Sequence, residues 1–298
     1  RERRDRSAFS LRQTSGKIMK HHTGHFTGFD GSSLFEQHWQ PENSRATLII
    51  VHGLAEYSSR YEHVAAALAE SNIATATFDL RGHGQSAGKR AFVNRFDDYL
   101  RDLAIFVDRV AAENGDKPLF LLGHSMGGAI ALLHALDHQN QFSGLILSSA
   151  ALKIHDDFSP LLQRLSGVIA AILPKLPTLK IDSKFISLDP AVVREYDSDP
   201  QIYHGGTIAR TGAEIVNATH RIRENAHKLQ LPLFIFHGTG DRITDPKGSK
   251  LVHDLASSPE KLLKLYDGLY HETMNEPEKD AVIANLVQWL NLRISRHS

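Results

Sequence analysis

The residues Gly123-His124-Ser125-Met126-Gly127 form a G-x-S-x-G motif, which is a candidate nucleophile elbow. The motif follows an apolar run at 118–122 and precedes small, apolar residues at 128–132 that are typical of a helix. A serine hydroxyl is a weak nucleophile, so it needs a tight strand-to-helix turn where a base reaches it and backbone amides hold an oxyanion. The flanking glycines permit that turn. This context predicts Ser125 as the nucleophile of an acyl transfer and disfavours an ordinary glycine-rich turn.

A serine nucleophile requires a base and an acid that orients the base, and both are expected at the ends of other strands. The apolar run at 233–236 ends five residues before Asp241, which is therefore the predicted acid. Asp245 is the alternative, but it precedes Pro246, and Asp-Pro is typical of a helix N-cap. His271 follows the last predicted strand and is the predicted base, which completes the chain order Ser, Asp, His.

The oxyanion of a tetrahedral intermediate needs backbone N–H donors in a water-poor site. Met126 supplies one predicted donor, because it follows the nucleophile at the N-terminus of the predicted helix. The strand-like run at 48–51 leads into His52-Gly53-Leu54, and Leu54 is the predicted second donor. The alternative for His52 and Gly53 is a simple tight exit from a strand.

A sheet must bring these strand ends together. Apolar runs predict strands at 47–51, 74–78, 119–122, 145–147, 233–236 and 262–266, separated by helical patterns such as 94–113 and 282–292. Buried runs that alternate with helices predict a mostly parallel sheet covered by helices on both faces, an α/β fold. Asp30-Gly31 lies between two strand-like runs and predicts a hairpin at an antiparallel edge. Asn94 with Asp97 indicates the N-cap of the first of these helices.

One long stretch interrupts the alternation of strands and helices. About 80 residues without a clear strand predict a helical cap at 151–230, inserted into a core formed by 24–150 and 231–298, after a flexible tail at 1–23. The apolar run at 161–173 predicts a cap helix whose exposed side docks on lipid and whose inner side lines an acyl tunnel. Ile169 and Ile172 are the candidate substrate contacts of this helix. Packing of the cap on its own domain is the alternative.

Composition excludes several classes of protein. The 298 residues carry 34 basic and 34 acidic side chains, so no overall charge favours nucleic acid, and the absence of cysteine excludes disulfides and thiolate metal sites. His21, His22 and His25 lie in an N-terminal segment that is expected to be mobile and has no carboxylate or thiolate ligand, so no metal is expected, and serine acyl transfer needs no cofactor. We expect a cytoplasmic protein that contacts membranes peripherally through the cap. Because the chain begins at Arg1, a signal peptide upstream remains compatible with the sequence.

Five motifs together resemble the monoacylglycerol lipase and lysophospholipase-like α/β-hydrolases over residues 24–290. The resemblance implies a cap-covered α/β-hydrolase that cleaves single-chain glycerol esters, most directly monoacylglycerol, and it assigns Glu56 and Arg60 to the polar head of the substrate. A lysophospholipase, a broad carboxylesterase and a catalytically silent binding module are the alternatives. The sequence departs from the family at two positions, which affects the expected headgroup preference. Tyr57 stands where many members have histidine, and Met274 stands where the mammalian members have a second histidine. The motifs lie at 52–61, 79–86, 123–127, 237–241 and 271–276.

Overall fold

The described residues form one sheet of nine strands. The computed structural model describes residues 8–14, 17–153 and 167–296. The order across the sheet is β1-β2-β3-β5-β4-β6-β7-β8-β9, antiparallel from β1 to β5 and parallel from β5 to β9. The strands are β1 (Ala8–Thr14), β2 (Lys17–Thr27), β3 (Ser33–Pro41), β4 (Ala46–Val51), β5 (Ile73–Phe78), β6 (Leu119–His124), β7 (Gly144–Ser148), β8 (Leu233–Gly238) and β9 (Lys261–Tyr266).

Helices cover both faces of this sheet. The side chains of β4 alternate, so Leu48 and Ile50 pack with α1 and α7 while Ile49 and Val51 pack with α2 and α3. Burial of every residue of β4 to β8 on both faces explains the continuous apolar runs and confirms the predicted α/β-hydrolase architecture. The helices are α1 (Glu62–Glu70), α2 (Phe96–Asn114), α3 (Met126–Asp137), α4 (Pro190–Ser198), α5 (Ala209–Asn225), α6 (Pro246–Leu255) and α7 (Lys279–Ile294).

The N-terminal region differs from the predicted flexible tail at 1–23. Residues 8–14 and 17–27 form β1 and β2, and β2 pairs with β3 across the predicted hairpin. Met19 is buried against Trp39 and two alanines of α1, and the His21 ring stacks on Trp39 at 4.8 Å. Burial of apolar and aromatic side chains therefore holds β2 in the sheet. The histidines of this region lie in a strand, and His21 hydrogen-bonds to Gln37.

The chain between β7 and β8 contains α4 and α5, and its last helix differs from the prediction. The sequence assigned 151–230 to the cap, yet Ala218 and Ile222 of α5 belong to the main core. At its N-terminal half, Ala209 and Ala213 pack on Ala170 instead. The N-terminal half of the helix thus belongs to the cap, and its C-terminal half belongs to the core, where it packs against α2 and α3. The N-cap of α2 is also one residue later than predicted, at Arg95.

Candidate active site

The nucleophile elbow is a strained turn between β6 and α3. Ser125 has φ 54° and ψ −123°, a backbone conformation that few residues with a side chain adopt. A Cβ at Gly123 would overlap the Gly127 carbonyl, and a Cβ at Gly127 would overlap the Val51 carbonyl, so both flanking positions require glycine. The Ser125 N–H donates to the Ser148 carbonyl at 3.0 Å and fixes the turn to the next strand. Ser125 itself is buried, with 8% exposure.

Asp241 and His271 form a hydrogen-bonded pair at the ends of β8 and β9. The distance from His271 Nδ1 to Asp241 Oδ2 is 2.7 Å. The other oxygen, Oδ1, accepts from the backbone N–H groups of Ile243 and Thr244 at 2.7 and 3.1 Å. An ionised carboxylate that is held on both oxygens keeps the imidazole in one orientation and one tautomer, with Nε2 available to accept a proton.

Burial and charge act against each other in this pair. Burial alone would raise the pKa of Asp241, but the charge on His271 and hydrogen bonds from His237 and His271 hold that pKa well below its ordinary range. Burial lowers the pKa of His271, whereas the charge of Asp241 and its hydrogen bond raise it, and the net result is a raised pKa. Asp241 therefore stays ionised at neutral pH, and its charge favours the protonated form of His271.

The competing acid has a structural role. Asp245 is the N-cap of α6, where its side chain accepts from the Lys247 N–H at 2.9 Å. It also pairs with Lys153 Nζ at 2.8 Å. The Asp-Pro pair thus marks the start of a helix, as the sequence indicates. Of the two carboxylates, Asp241 is the one that binds His271.

One cleft contains the nucleophile, the base and the oxyanion loop. Ser125, His271, Gly53 and Leu54 all line this cleft, which we call the catalytic cleft. Gly53 lies so close to the nucleophile that a Cβ there would be 3.0 Å from the Ser125 Cβ. Met126 begins α3, and the first amides of a helix have no acceptor within the helix. Leu54 thus lines the same cleft as Ser125, and Met126 follows Ser125 at the start of α3, so both remain the predicted oxyanion donors.

The predicted headgroup residues form a buried ionic network beside the catalytic cleft. Arg60 binds Glu272 with both terminal nitrogens, at 2.5 and 2.7 Å, and approaches Glu56 at 3.3 Å. Glu56 in turn accepts from the Gly53 N–H at 2.5 Å and from the Tyr61 hydroxyl at 2.9 Å. Burial opposes ionisation of Glu272, but Arg60 outweighs it and holds the pKa of that carboxyl below its ordinary range. One cation therefore serves two carboxylates.

Sequence reasoning assigned no role to two residues of this region. Glu272 follows the base directly and lines the catalytic cleft, yet its partner Arg60 is 212 residues away. His124 precedes the nucleophile, and its ring lies 4.8 Å from the His271 ring. Burial, reinforced by the charge of His271, lowers the pKa of His124 to about 4, so its ring is neutral at physiological pH. The sequence offered one signal for a role of these two residues, namely that His124 is adjacent to Ser125 and Glu272 is adjacent to His271.

A second small cleft adjoins the catalytic cleft at this network. The two clefts share Glu56, His124 and Glu272, and the second one is also lined by His63 and Met274. His63 Nε2 donates to the Met274 carbonyl at 2.8 Å. A histidine from α1 thus lies beside Met274 in this second cleft.

The cap contributes apolar side chains to the catalytic cleft, but from a later segment than predicted. Ile181, Ile186 and Tyr196 line the cleft together with Ile243 of the core. Residues 167–172 are helical, whereas 161–166 of the predicted cap helix lie outside the described residues. Ile169 and Ile172, which were predicted to contact substrate, lie on the surface with 39% and 71% exposure and are not among the described residues that line the cleft.

Neither a metal site nor a spanning helix is found within the described ranges. Among those residues, no group of three or more His, Cys, Asp or Glu side chains is arranged to hold a metal ion. None of the helices described there has the length and hydropathy needed to cross a bilayer.

Comparison with known proteins gives consistent matches. The model of a family described as serine aminopeptidase S33 matches residues 42–278. The chain is 33% identical to a monoacylglycerol lipase of Mycolicibacterium smegmatis, over 89% of this chain and 95% of that protein. It is 35% identical to a rat monoglyceride lipase, over 97% and 96%. A soluble variant of Saccharomyces cerevisiae monoglyceride lipase, solved with a substrate analogue, superposes with a TM-score of 0.79 at 26% identity, covering 94% of this chain and 96% of that one.

Proposed function

Because the chain belongs to the monoacylglycerol lipase-like family of α/β-hydrolases, we propose that it cleaves monoacylglycerol to glycerol and a free fatty acid. The enzyme is a serine hydrolase that acts on carboxylic esters. The observation that carries the proposal is the shared cleft, in which Ser125, His271 and the Leu54 loop meet next to a polar network suited to hydroxyl groups.

The reaction proceeds in two steps on these residues. The Ser125 hydroxyl attacks the ester carbonyl while His271 Nε2 takes its proton, and the oxyanion is held by the N–H groups of Leu54 and Met126. Collapse of this intermediate breaks the ester bond, and His271 returns the proton to the glycerol oxygen. Water then attacks the acyl-enzyme with His271 as the base, which releases the fatty acid and restores Ser125.

The charges beside the catalytic cleft favour a neutral headgroup. Arg60 already serves Glu272 and Glu56, so the network of these three side chains carries a formal charge of −1. A phosphate at this position would meet two carboxylates and a cation that is already engaged, whereas glycerol hydroxyls can both donate to and accept from the network. This argument favours monoacylglycerol over a lysophospholipid of the same acyl chain.

Headgroup preference is tested by kcat/KM for a monoacylglycerol and a lysophosphatidylcholine with the same acyl chain, because contacts with the chain then cancel. We expect the monoacylglycerol to be preferred by about tenfold or more, which corresponds to about 1.4 kcal/mol of transition-state binding. A tenfold preference for the lysophospholipid would overturn the proposal in favour of a lysophospholipase. A ratio near one would mean a broad carboxylesterase.

We further propose that the cap contacts a lipid surface. The run at 168–179, which we call the apolar segment, begins within the helical turn at 167–172 and exposes large hydrophobic side chains. Lys175 lies within the segment and Lys180 follows it, and both are exposed. Exposed apolar side chains with interspersed lysine suit an interface of anionic lipid headgroups and acyl chains. The exposed side chains are Val168, Ile169, Ile172, Leu173, Leu176 and Leu179, with exposures from 39% to 71%.

A further inference from the structure

A second histidine binds the catalytic carboxylate. His237, near the end of β8, is fully buried, and its Nε2 lies 3.0 Å from Asp241 Oδ2. The same oxygen binds His271 Nδ1 at 2.7 Å, so two imidazole rings share one carboxylate oxygen. The Thr244 hydroxyl lies 2.8 Å from that oxygen as well. The proposed reaction uses His271 and gives His237 no role.

The surroundings of His237 determine where its proton lies. An ionised carboxylate only accepts, so Nε2 of His237 must carry hydrogen and donate to Asp241. The other ring nitrogen, Nδ1, lies 2.7 Å from the hydroxyl of Ser249 on α6, which is also fully buried. This hydrogen bond with Ser249 fixes the orientation of the ring. His237 is held on both sides without access to solvent.

We propose that His237 is a positioning residue that orients Asp241 and moderates its pull on the proton of His271. A hydrogen-bond donor on a carboxylate stabilises the ionised form and spreads its charge, so less of that charge acts on any one partner. Without this donor, the full charge of Asp241 faces His271, which then holds its proton more tightly and is a weaker base at a given pH. The proposal rests on the serine hydrolase mechanism above, although not on the headgroup preference.

Other charged groups around His271 remain unchanged when His237 is replaced. Glu272 and Glu56 face His271 with a field that favours its protonated form, and His124 faces it from β6 and opposes that form when charged. Arg60 pairs with both glutamates. None of these side chains is bonded to His237 in the hydrogen bonds found for it, which run to Asp241, Ser249 and Thr244. A change in the titration of His271 on replacement of His237 thus reports on Asp241.

The test is the pH dependence of kcat/KM for a short p-nitrophenyl ester, a substrate that does not depend on the glycerol headgroup. Activity rises with pH as His271 loses its proton. In His237→Leu we expect this rise to move to higher pH by about half a unit to one unit, with kcat lowered and KM nearly unchanged. In His237→Gln, whose amide can reach the position of Nε2 and donate to Asp241, most of the shift should disappear.

A matched control separates positioning from loss of packing. His134 on α3 is another buried histidine that does not bond to Asp241, so His134→Leu makes the same replacement elsewhere and should leave the pH profile in place. Should His237→Leu fail to fold, Ser249→Ala keeps the ring and should move the profile in the same direction by a smaller amount. A profile that stays in place, or moves to lower pH, in His237→Leu or in this substitute variant would overturn the proposal. If the wild type cleaves the p-nitrophenyl ester but not monoacylglycerol, only the proposed substrate fails.

Discussion

Two parts of the cap differ in how they meet the core. The docked segment, residues 182–204, hydrogen-bonds to the loop that follows β9, because the carbonyls of Phe185 and Ile186 accept from the N–H groups of His271 and Glu272 at 3.3 and 2.7 Å. The apolar segment at 168–179 instead bonds to residues 207–210 of the cap itself and exposes its hydrophobic side chains. Changes in the docked segment should therefore reach the chemistry, whereas changes in the apolar segment should affect only the approach of lipid.

The docked segment also reaches the oxyanion loop. The Tyr203 N–H donates to the Ala55 carbonyl at 2.9 Å, and the Tyr57 hydroxyl donates to Asp199 at 2.5 Å. Ala55 has a positive φ of 72° and follows Leu54, so these bonds hold a strained turn next to a proposed oxyanion donor. Tyr57 is thus a contact between cap and core.

The largest expected effect removes the chemistry and leaves both cap segments intact. Ser125→Ala should lower ester hydrolysis by about 10⁴-fold or more, since the nucleophile acts as a unit with its base. Covalent labelling by a fluorophosphonate should disappear, while the melting temperature changes little. Labelling that persists in this variant would show that another residue is the nucleophile.

The next largest effect distinguishes the two candidate acids. Asp241→Asn should lower kcat by about 10³-fold, because an asparagine amide that donates to His271 Nδ1 favours the wrong tautomer. Asp245→Asn is the matched control, since asparagine retains the N-cap of α6 and loses only the charge opposite Lys153. Its activity should stay within about threefold of the wild type. A greater loss in Asp245→Asn than in Asp241→Asn would reverse the assignment.

Local sequence signals were sufficient to predict the sheet, and they also led to the proposed triad. Ser125 and Asp241 follow the buried strands β6 and β8, and His271 follows the edge strand β9. Parallel strands bring such ends to one edge, so pattern and chain order carried the prediction. The fold is confirmed apart from boundaries. Residues 17–23 are polar and histidine-rich, and their strand depends on pairing with β3 and on burial of Met19 against Trp39.

The remaining features depend on contacts between distant segments. The Arg60–Glu272 pair exists only in the folded chain, and neither residue has a local pattern that names its partner. The helical period of α5 identifies an apolar face but does not show which part of the protein covers that face. The predicted cap boundary at 230 is therefore too late, because the C-terminal half of α5 packs in the main core and only its N-terminal half packs in the cap. The same limit applies to Ile169 and Ile172, because the sequence alone does not determine whether these side chains are exposed.

A moderate effect is expected in the docked segment. Tyr57→Phe removes the hydroxyl that donates to Asp199 and should lower kcat by about fivefold to tenfold, since a hydrogen bond to a charged group contributes about 1.5 kcal/mol. The loss should be equal for a short soluble ester and for dispersed monoacylglycerol. Tyr266→Phe is the matched control, because Tyr266 lies on the edge strand β9 and the change removes a hydroxyl that is bonded to Asn285. A loss confined to the lipid substrate would mean that this segment acts in lipid approach instead.

The smallest effect on the chemistry, and the sharpest contrast with the docked segment, is expected from the apolar segment. Replacing Ile169 and Ile172 with serine should lower binding to anionic vesicles and hydrolysis of dispersed long-chain monoacylglycerol by about fivefold or more, because each side chain loses about 1 kcal/mol of burial in the interface. Hydrolysis of the short soluble ester should not change. Leu262 and Leu265, each 46% exposed on β9, provide a control in which two exposed leucines become serine far from the cap. Equal losses on both substrates would identify destabilisation of the cap, and a vesicle affinity that does not change would exclude these isoleucines as the lipid contact.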